Sequence, residues 1–163
     1  MMIIKVIGSP ETPAFEIAQK VVRAHGHAIY DNKYFYADLA IAPLLTYKLT
    51  TDEINAPIQG TLIFHPSPLP YGRGASSLRW AYRHNDAITA ACWFWANETL
   101  DGGDICEMEI LKIDYNMSPK LYYHTHVLPA LERTLKQALK AIAAGYIRRI
   151  PQHEVYSTYD AKL

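Results

Sequence analysis

The sequence predicts an α/β fold, a mostly parallel twisted sheet with helices on both faces, formed by residues 1–163 as one domain. Two observations carry this expectation. Short apolar runs of strand length, Ile3–Ile7, Leu39–Pro43 and Gly60–Phe64, are separated by a helical stripe and by polar, loop-like stretches. Such alternation favours parallel strands joined by right-handed crossovers. A chain of 163 residues also suits one sizeable core.

The first strand, Ile3-Ile4-Lys5-Val6-Ile7, is stopped by Gly8-Ser9-Pro10. Thr12-Pro13 supplies an N-cap and an N1 proline. Phe15, Ala18, Val21 and Val22 then recur at helical spacing as far as Gly26. Leu39–Pro43 forms a second strand, and Gly60–Phe64 a third that ends at His65. The next loop, Pro66 to Gly74, holds three prolines and two glycines, which excludes regular structure. Ala75 to His84 is expected as a short helix. Ala90–Trp95 and Ile105–Ile113 follow as strands whose direction the pattern leaves open. Ser118-Pro119 opens a last helix with the stripe Leu128, Leu131, Leu135, Leu139 and Ile142, stopped at Gly145. Pro129 should kink or split it. From Arg149 onward an extended tail should pack on the body.

Composition narrows the function classes. Sixteen basic and 16 acidic residues give a formal net charge of zero. A nucleic-acid partner is therefore not expected, because phosphate contacts demand a basic surface. Cys92 and Cys106 share no CxxC spacing and lie in strand-like runs, so buried free thiols are expected. The N-terminus lacks a signal-type apolar region, and no run approaches membrane-spanning length. A cytoplasmic protein without a membrane partner is the simplest expectation, with a homodimer left open.

Two residues stand out chemically. His65 sits where a strand gives way to a stiff loop, at the strand end where open α/β sheets bind ligands. A histidine there either faces a pocket or caps the strand. Asp101, in Leu100-Asp101-Gly102-Gly103-Asp104-Ile105, belongs to a tight turn. Alone it is a turn signal. Beside an imidazole, a carboxylate can fix the tautomer and hold or deprotonate a water. Asp104 competes for that role and suits a structural turn position. His124 and His126, two apart on a helix, point to different sides and do not suggest a shared metal. His25 and His27 flank Gly26 and suit contacts with helix carbonyls. Trp93 and Trp95 alternate along a strand, as core or pocket wall. Ser67 follows His65 too closely, around Pro66, to be its nucleophile.

The run His65-Pro66-Ser67-Pro68-Leu69-Pro70, then Arg73-Gly74-Ala75-Ser76, Trp80, and Asp101-Gly102-Gly103-Asp104-Ile105 resembles the folate-dependent formyltransferase family. That family includes methionyl-tRNA and glycinamide ribonucleotide formyltransferases and the hydrolase domain of 10-formyltetrahydrofolate dehydrogenase. The 36-residue separation of His65 and Asp101 (101 minus 65) is similar to the family's spacing and selects Asp101 over Asp104. The resemblance runs on through Leu128-Pro129, Arg149-Ile150-Pro151-Gln152 and Thr158-Tyr159. It implies a Rossmann-like formyltransferase fold, 10-formyltetrahydrofolate as formyl donor, no metal, and a small amine or water as acceptor. His65 and Asp101 would be catalytic. Ile63, Ser67, Arg73, Leu44, Leu45 and Thr46 would lie on the substrate and folate side.

Two departures qualify what the resemblance implies. Family transferases carry asparagine where this chain has Ile63, so one oxyanion donor is missing and hydrolysis gains weight. The dehydrogenase's hydrolase domain is similar in this respect and is the nearest subgroup. Only 64 residues precede His65, as if a βα unit were missing before Asp38, giving a shortened N-terminal half. The family's RNA-binding, carrier and aldehyde dehydrogenase modules are not found, which counts against initiator tRNA as acceptor. These departures also keep alive a non-catalytic folate-binding or protein-interaction member, and a subunit whose site a partner completes.

Overall fold

A computed structural model describes all residues, 1–163. Six strands form one sheet in the order β2-β1-β3-β4-β5-β6. They are β1 (Ile3–Val6), β2 (Ala28–Ile29), β3 (Leu39–Ala42), β4 (Thr61–His65), β5 (Ile88–Trp95) and β6 (Ile105–Lys112). β2, β1, β3 and β4 pair in parallel, whereas β4–β5 and β5–β6 are antiparallel. The parallel half was expected. The two later strands take the direction that the pattern left open, and a register shift between Trp93 and Phe94 interrupts their ladder.

Helix α1 (Pro13–Ala24) begins as its sequence dictates. Thr12 Oγ1 accepts from the Phe15 N–H at 3.3 Å and Pro13 opens the first turn. Phe15, Ala18, Val21 and Val22 are all buried. The last helical region divides at the proline. It comprises α4 (Pro119–Tyr122), a π-helical turn (Tyr123–Val127) and α5 (Leu128–Ala143). Pro129 has no N–H to give Thr125, and the wider π turn places it in the first turn of a new helix, where none is needed. α5 ends as expected, with Gly145 at φ +89° and the Tyr146 N–H closing on Ala141 O at 2.8 Å.

Two elements carry too little pattern to be read from sequence. β2 is two residues long, too short to show alternation. Helix α2 (Thr51–Asn55) buries no residue fully, so it has no apolar stripe. Its capping box, Thr50 with Glu53, was its only signature. Helix α3 (Ser77–Arg83) starts two residues later than expected.

The sheet's faces are unequally covered. Ile4, Leu39, Ile41, Leu62, Phe64 and Trp93 point to one side, where α1 and α5 cover them in the main core. Trp93 Nε1 donates to Thr134 Oγ1 on α5 at 3.0 Å, satisfying a buried donor. The opposite side, with Ala40, Ala42, Ile63, Cys92 and Phe94, is packed by Leu45, Leu49 and Ile54 and by Leu69 of the proline loop. Helices thus lie on both faces, but the second has only the single helix α2, because β2 and β3 are joined without a helix. The cysteines are buried and free. His25 Nδ1 lies 2.9 Å from Val21 O as expected at a helix end, but His27 does not join it: its Nδ1 accepts from the Met2 N–H at 3.3 Å.

Leu135 is fully buried at the centre of α5. Leu135→Ala should lower the unfolding free energy by about 2–5 kcal/mol. Urea unfolding should show this as a lower midpoint with an unchanged slope.

Candidate functional site

The thin second face opens into a cavity of ≈ 630 Å³ at the carboxyl ends of β3 and β4. Leu44, Leu45 and Leu49 from the segment after β3 form an apolar wall with Ile63 and Phe94. His65 and Asp101 lie together within it. β-strand alternation puts His65 on the same side as Ile63, toward the cavity, while Phe64 turns into the main core.

Both side chains are held by the loop that follows His65. The His65 ring is buried and its Nε2 lies 2.8 Å from Gly72 O. A carbonyl only accepts, so Nε2 carries the hydrogen and Nδ1 presents its lone pair in the neutral ring. Nδ1 faces Asp101 Oδ2 at 3.8 Å, beyond hydrogen-bond length. The tautomer is therefore set by Gly72, not by the carboxylate to which sequence reasoning gave that role. Asp101 Oδ2 is itself engaged by the Gly74 N–H at 2.9 Å.

The remaining expected residues divide. Ile63, Leu44 and Leu45 line the cavity; Thr46, Ser67 and Arg73 do not. Ser67 Oγ donates to Tyr71 O at 2.8 Å, bracing the loop from behind. Arg73 is buried and turns outward to the tail. Its guanidinium donates to Glu154 Oε1 and Oε2 at 2.7 and 2.9 Å and to Gln152 Oε1 at 2.9 Å. Asp104 contributes its backbone, accepting from the Trp95 N–H at 2.8 Å. Trp93 and Trp95 belong to the main core rather than the cavity wall. His126 stacks on Tyr122 and His124 meets Tyr123 edge-on.

Glycines make this turn possible. A Cβ at Gly103 would collide with Trp95 O, and one at Gly74 with Asp160 O, so both backbones approach too closely for any side chain. Asp101 itself takes φ +49°, rare for a residue other than glycine.

Sequence reasoning missed the other wall. Asn97, Glu98, Tyr159, Lys162 and Leu163 also line the cavity. The tail reaches it because the Trp80 Nε1–H donates to Ala161 O at 2.7 Å and the Leu163 N–H to Ser76 Oγ at 3.0 Å. Only Thr158-Tyr159, in the family-like pattern, pointed there. Burial pushes the Cys106 thiol up to about 11, away from the thiolate form.

Known proteins resemble this chain in sequence and in fold. The family model for formyl transferase matches residues 11–139. The cytosolic 10-formyltetrahydrofolate dehydrogenase of Pongo abelii is 35% identical over 145 residues, covering 85% of this chain and 16% of that protein. The mitochondrial 10-formyltetrahydrofolate dehydrogenase of Homo sapiens is 31% identical over 153 residues, covering 91% of this chain and 16% of that one. The chain thus spans about a sixth of these relatives. Among solved structures, HypX from Aquifex aeolicus in complex with tetrahydrofolic acid superposes with a TM-score of 0.83 at 21% identity, covering 100% of this chain and 30% of that one. At that identity the likeness is one of fold.

The Arg73 ion pair carries a testable pH dependence. Its hydrogen bonds hold the Glu154 carboxyl below the usual carboxylate value. A lowered folded-state value means the stabilisation is present above the ordinary carboxylate range and is lost as pH falls through the lowered value. Glu154→Gln should therefore reduce unfolding free energy at neutral pH and make no difference in strong acid, as read by urea unfolding at both.

Proposed function

The chain belongs to the formyl transferase family, and we propose that its cavity binds 10-formyltetrahydrofolate and moves the formyl group to water or a small amine. The observation that carries this is the His65–Asp101 arrangement, an Nδ1 lone pair and a carboxylate oxygen facing each other at 3.8 Å. Two acceptors at that distance have no proton between them. A water or primary amine, with two hydrogens, can serve both at once, and this places its lone pair toward a formyl carbon bound alongside.

The cavity suits the donor. Its ≈ 630 Å³ lies within the range of about 300–1,000 Å³ usual for small-molecule sites. The apolar wall of Leu44, Leu45, Leu49 and Phe94 offers a surface for a flat ring, and the end near His65 offers the polar groups.

The chemistry then follows from the residues present. The nucleophile's lone pair bonds the formyl carbon, and the hydrogen it shares with His65 Nδ1 passes to that nitrogen while Asp101 holds the other. The carbonyl electrons move onto oxygen, where the ring, now protonated, donates its Nδ1–H. Collapse re-forms the carbonyl, breaks the bond to N10, and N10 takes the proton from His65. Tetrahydrofolate leaves with formate or a formylated amine. Ile63 has no donor for the oxyanion, so His65 alone among the strand-end side chains can supply one. That favours water as the acceptor.

Purified protein incubated with 10-formyltetrahydrofolate, with and without candidate amines, tests the reading. Formate or formyl-amine should appear, and His65→Ala and Asp101→Asn should each cut the rate by about 100-fold or more while the fold persists. The absence of both products from the wild-type protein would refute it. Ile63 also motivates a second reading, a folate binder without turnover; there Asp101→Asn would change nothing but affinity.

A further inference from the structure

Asp101 stands in a backbone conformation that a non-glycine residue keeps only where its surroundings hold it. The holder is Gln152, from the extended tail. Its Nε2 donates to Asp101 O and to Gly103 O, each at 2.8 Å, so one amide spans both carbonyls of the turn. Its Oε1 accepts from Arg73 Nη2 at 2.9 Å and Nε at 3.3 Å. A guanidinium has only donors, so Arg73 obliges the amide oxygen to face it and the NH2 group to face the turn. The tail is fixed just before this point by paired bonds between Ile105 and Ile150, at 2.8 and 3.0 Å. Gln152 does not line the cavity.

We propose that Gln152 is a positioning residue, whose Arg73-oriented amide holds the Asp101–Gly103 turn so that the Asp101 carboxylate meets His65 at working distance. Arg73, on the loop that carries Gly72 and Gly74, is thereby tied to the turn that carries Asp101. Both halves of the pair are indexed to one tail side chain outside the pocket. The inference rests on the reading of Asp101 as the group that holds the nucleophile beside His65.

Gln152→Glu isolates the effect. It keeps an acceptor for Arg73 but sets a carboxylate oxygen against two carbonyls. At neutral pH kcat should fall about 10-fold or more, with the donor's KM within about twofold, since displacement alone is costly to oriented catalysis. Relative to the wild-type protein at the same pH, acid should restore part of the lost rate, because the protonated side chain can donate again. The Gly74 amide, which depends on Asp101 Oδ2, should exchange with solvent faster, while the amides within β4 and β5 keep their protection. A purely structural role would speed all of them together. An unchanged kcat, or unchanged Gly74 protection, overturns the proposal. Should Gln152→Glu not fold, Gln152→Met and the wild-type protein decide. The wild-type Gln152 side-chain amide must exchange slowly, and free exchange there overturns the proposal without any variant. If the wild-type protein makes neither formate nor formyl-amine, the proposed function fails, and the Gly74 and Gln152 exchange rates still test the positioning.

Discussion

Three consecutive peptide groups, from Tyr71 to Gly74, hold the site together. The first has its carbonyl bonded by Ser67 Oγ and its N–H, on Gly72, donating to Thr158 Oγ1 at 2.7 Å. The second receives the His65 ring at its carbonyl and donates its N–H, on Arg73, to Thr158 O at 3.0 Å. The third accepts from the Asp160 N–H at 3.1 Å and donates, through Gly74, to Asp101 Oδ2. No donor or acceptor in the run is idle. A buried backbone group left unpaired is expensive, so each bond restricts the loop to the arrangement that completes the others. His65 and Asp101 are two of the ligands in that scheme. Their separation is thus a property of the loop's backbone and of the tail beneath it, rather than of direct attraction between the two side chains.

The cavity exists because the second face of the sheet is thinly covered. One face is sealed by α1 and the 16-residue α5, while the other has a five-residue helix and loops. β2 and β3 are joined without a helix, so that face lacks the cover a crossover helix would give. The tail compensates. Residues 158–163 run along α3, lend Tyr159, Lys162 and Leu163 to the cavity wall, and brace the loop after His65 from below. Much of the site's enclosure therefore comes from the last part of the chain, where sequence patterning is weakest.

That distribution explains what could be read in advance. α1, α5 and the strands around His65 carry strong periodicity and clear stops, so their place in an α/β sheet was legible. β2 and α2 bury too little to leave a pattern. The antiparallel direction of β5 and β6 depends on tertiary pairing that no local signal reports. His65, Asp101, Ile63, Leu44 and Leu45 were legible because motif and spacing singled them out, and they meet in one cavity. Ser67 and Arg73 belong to the same motif yet turn away from it, since a motif does not say which members touch ligand and which hold the frame. Gly72 was invisible for a different reason: its contribution is a backbone carbonyl, which every residue has.

Arg73 shows why the frame is built from charge at all. Burying a guanidinium is costly unless its donors are met, and replacing such a network with apolar groups often leaves a fold no less stable. Stability alone does not account for it. A hydrophobic side chain at this position could fill the space between loop and tail, but it could not tell one end of the Gln152 amide from the other. The five donors of arginine can. They leave the amide one orientation, and that orientation gives the Asp101 turn two donors where it needs them. The charge thus supplies direction to a neutral side chain, and a carboxylate in an otherwise unfavourable backbone conformation is kept in reach of an imidazole whose hydrogen is already committed elsewhere.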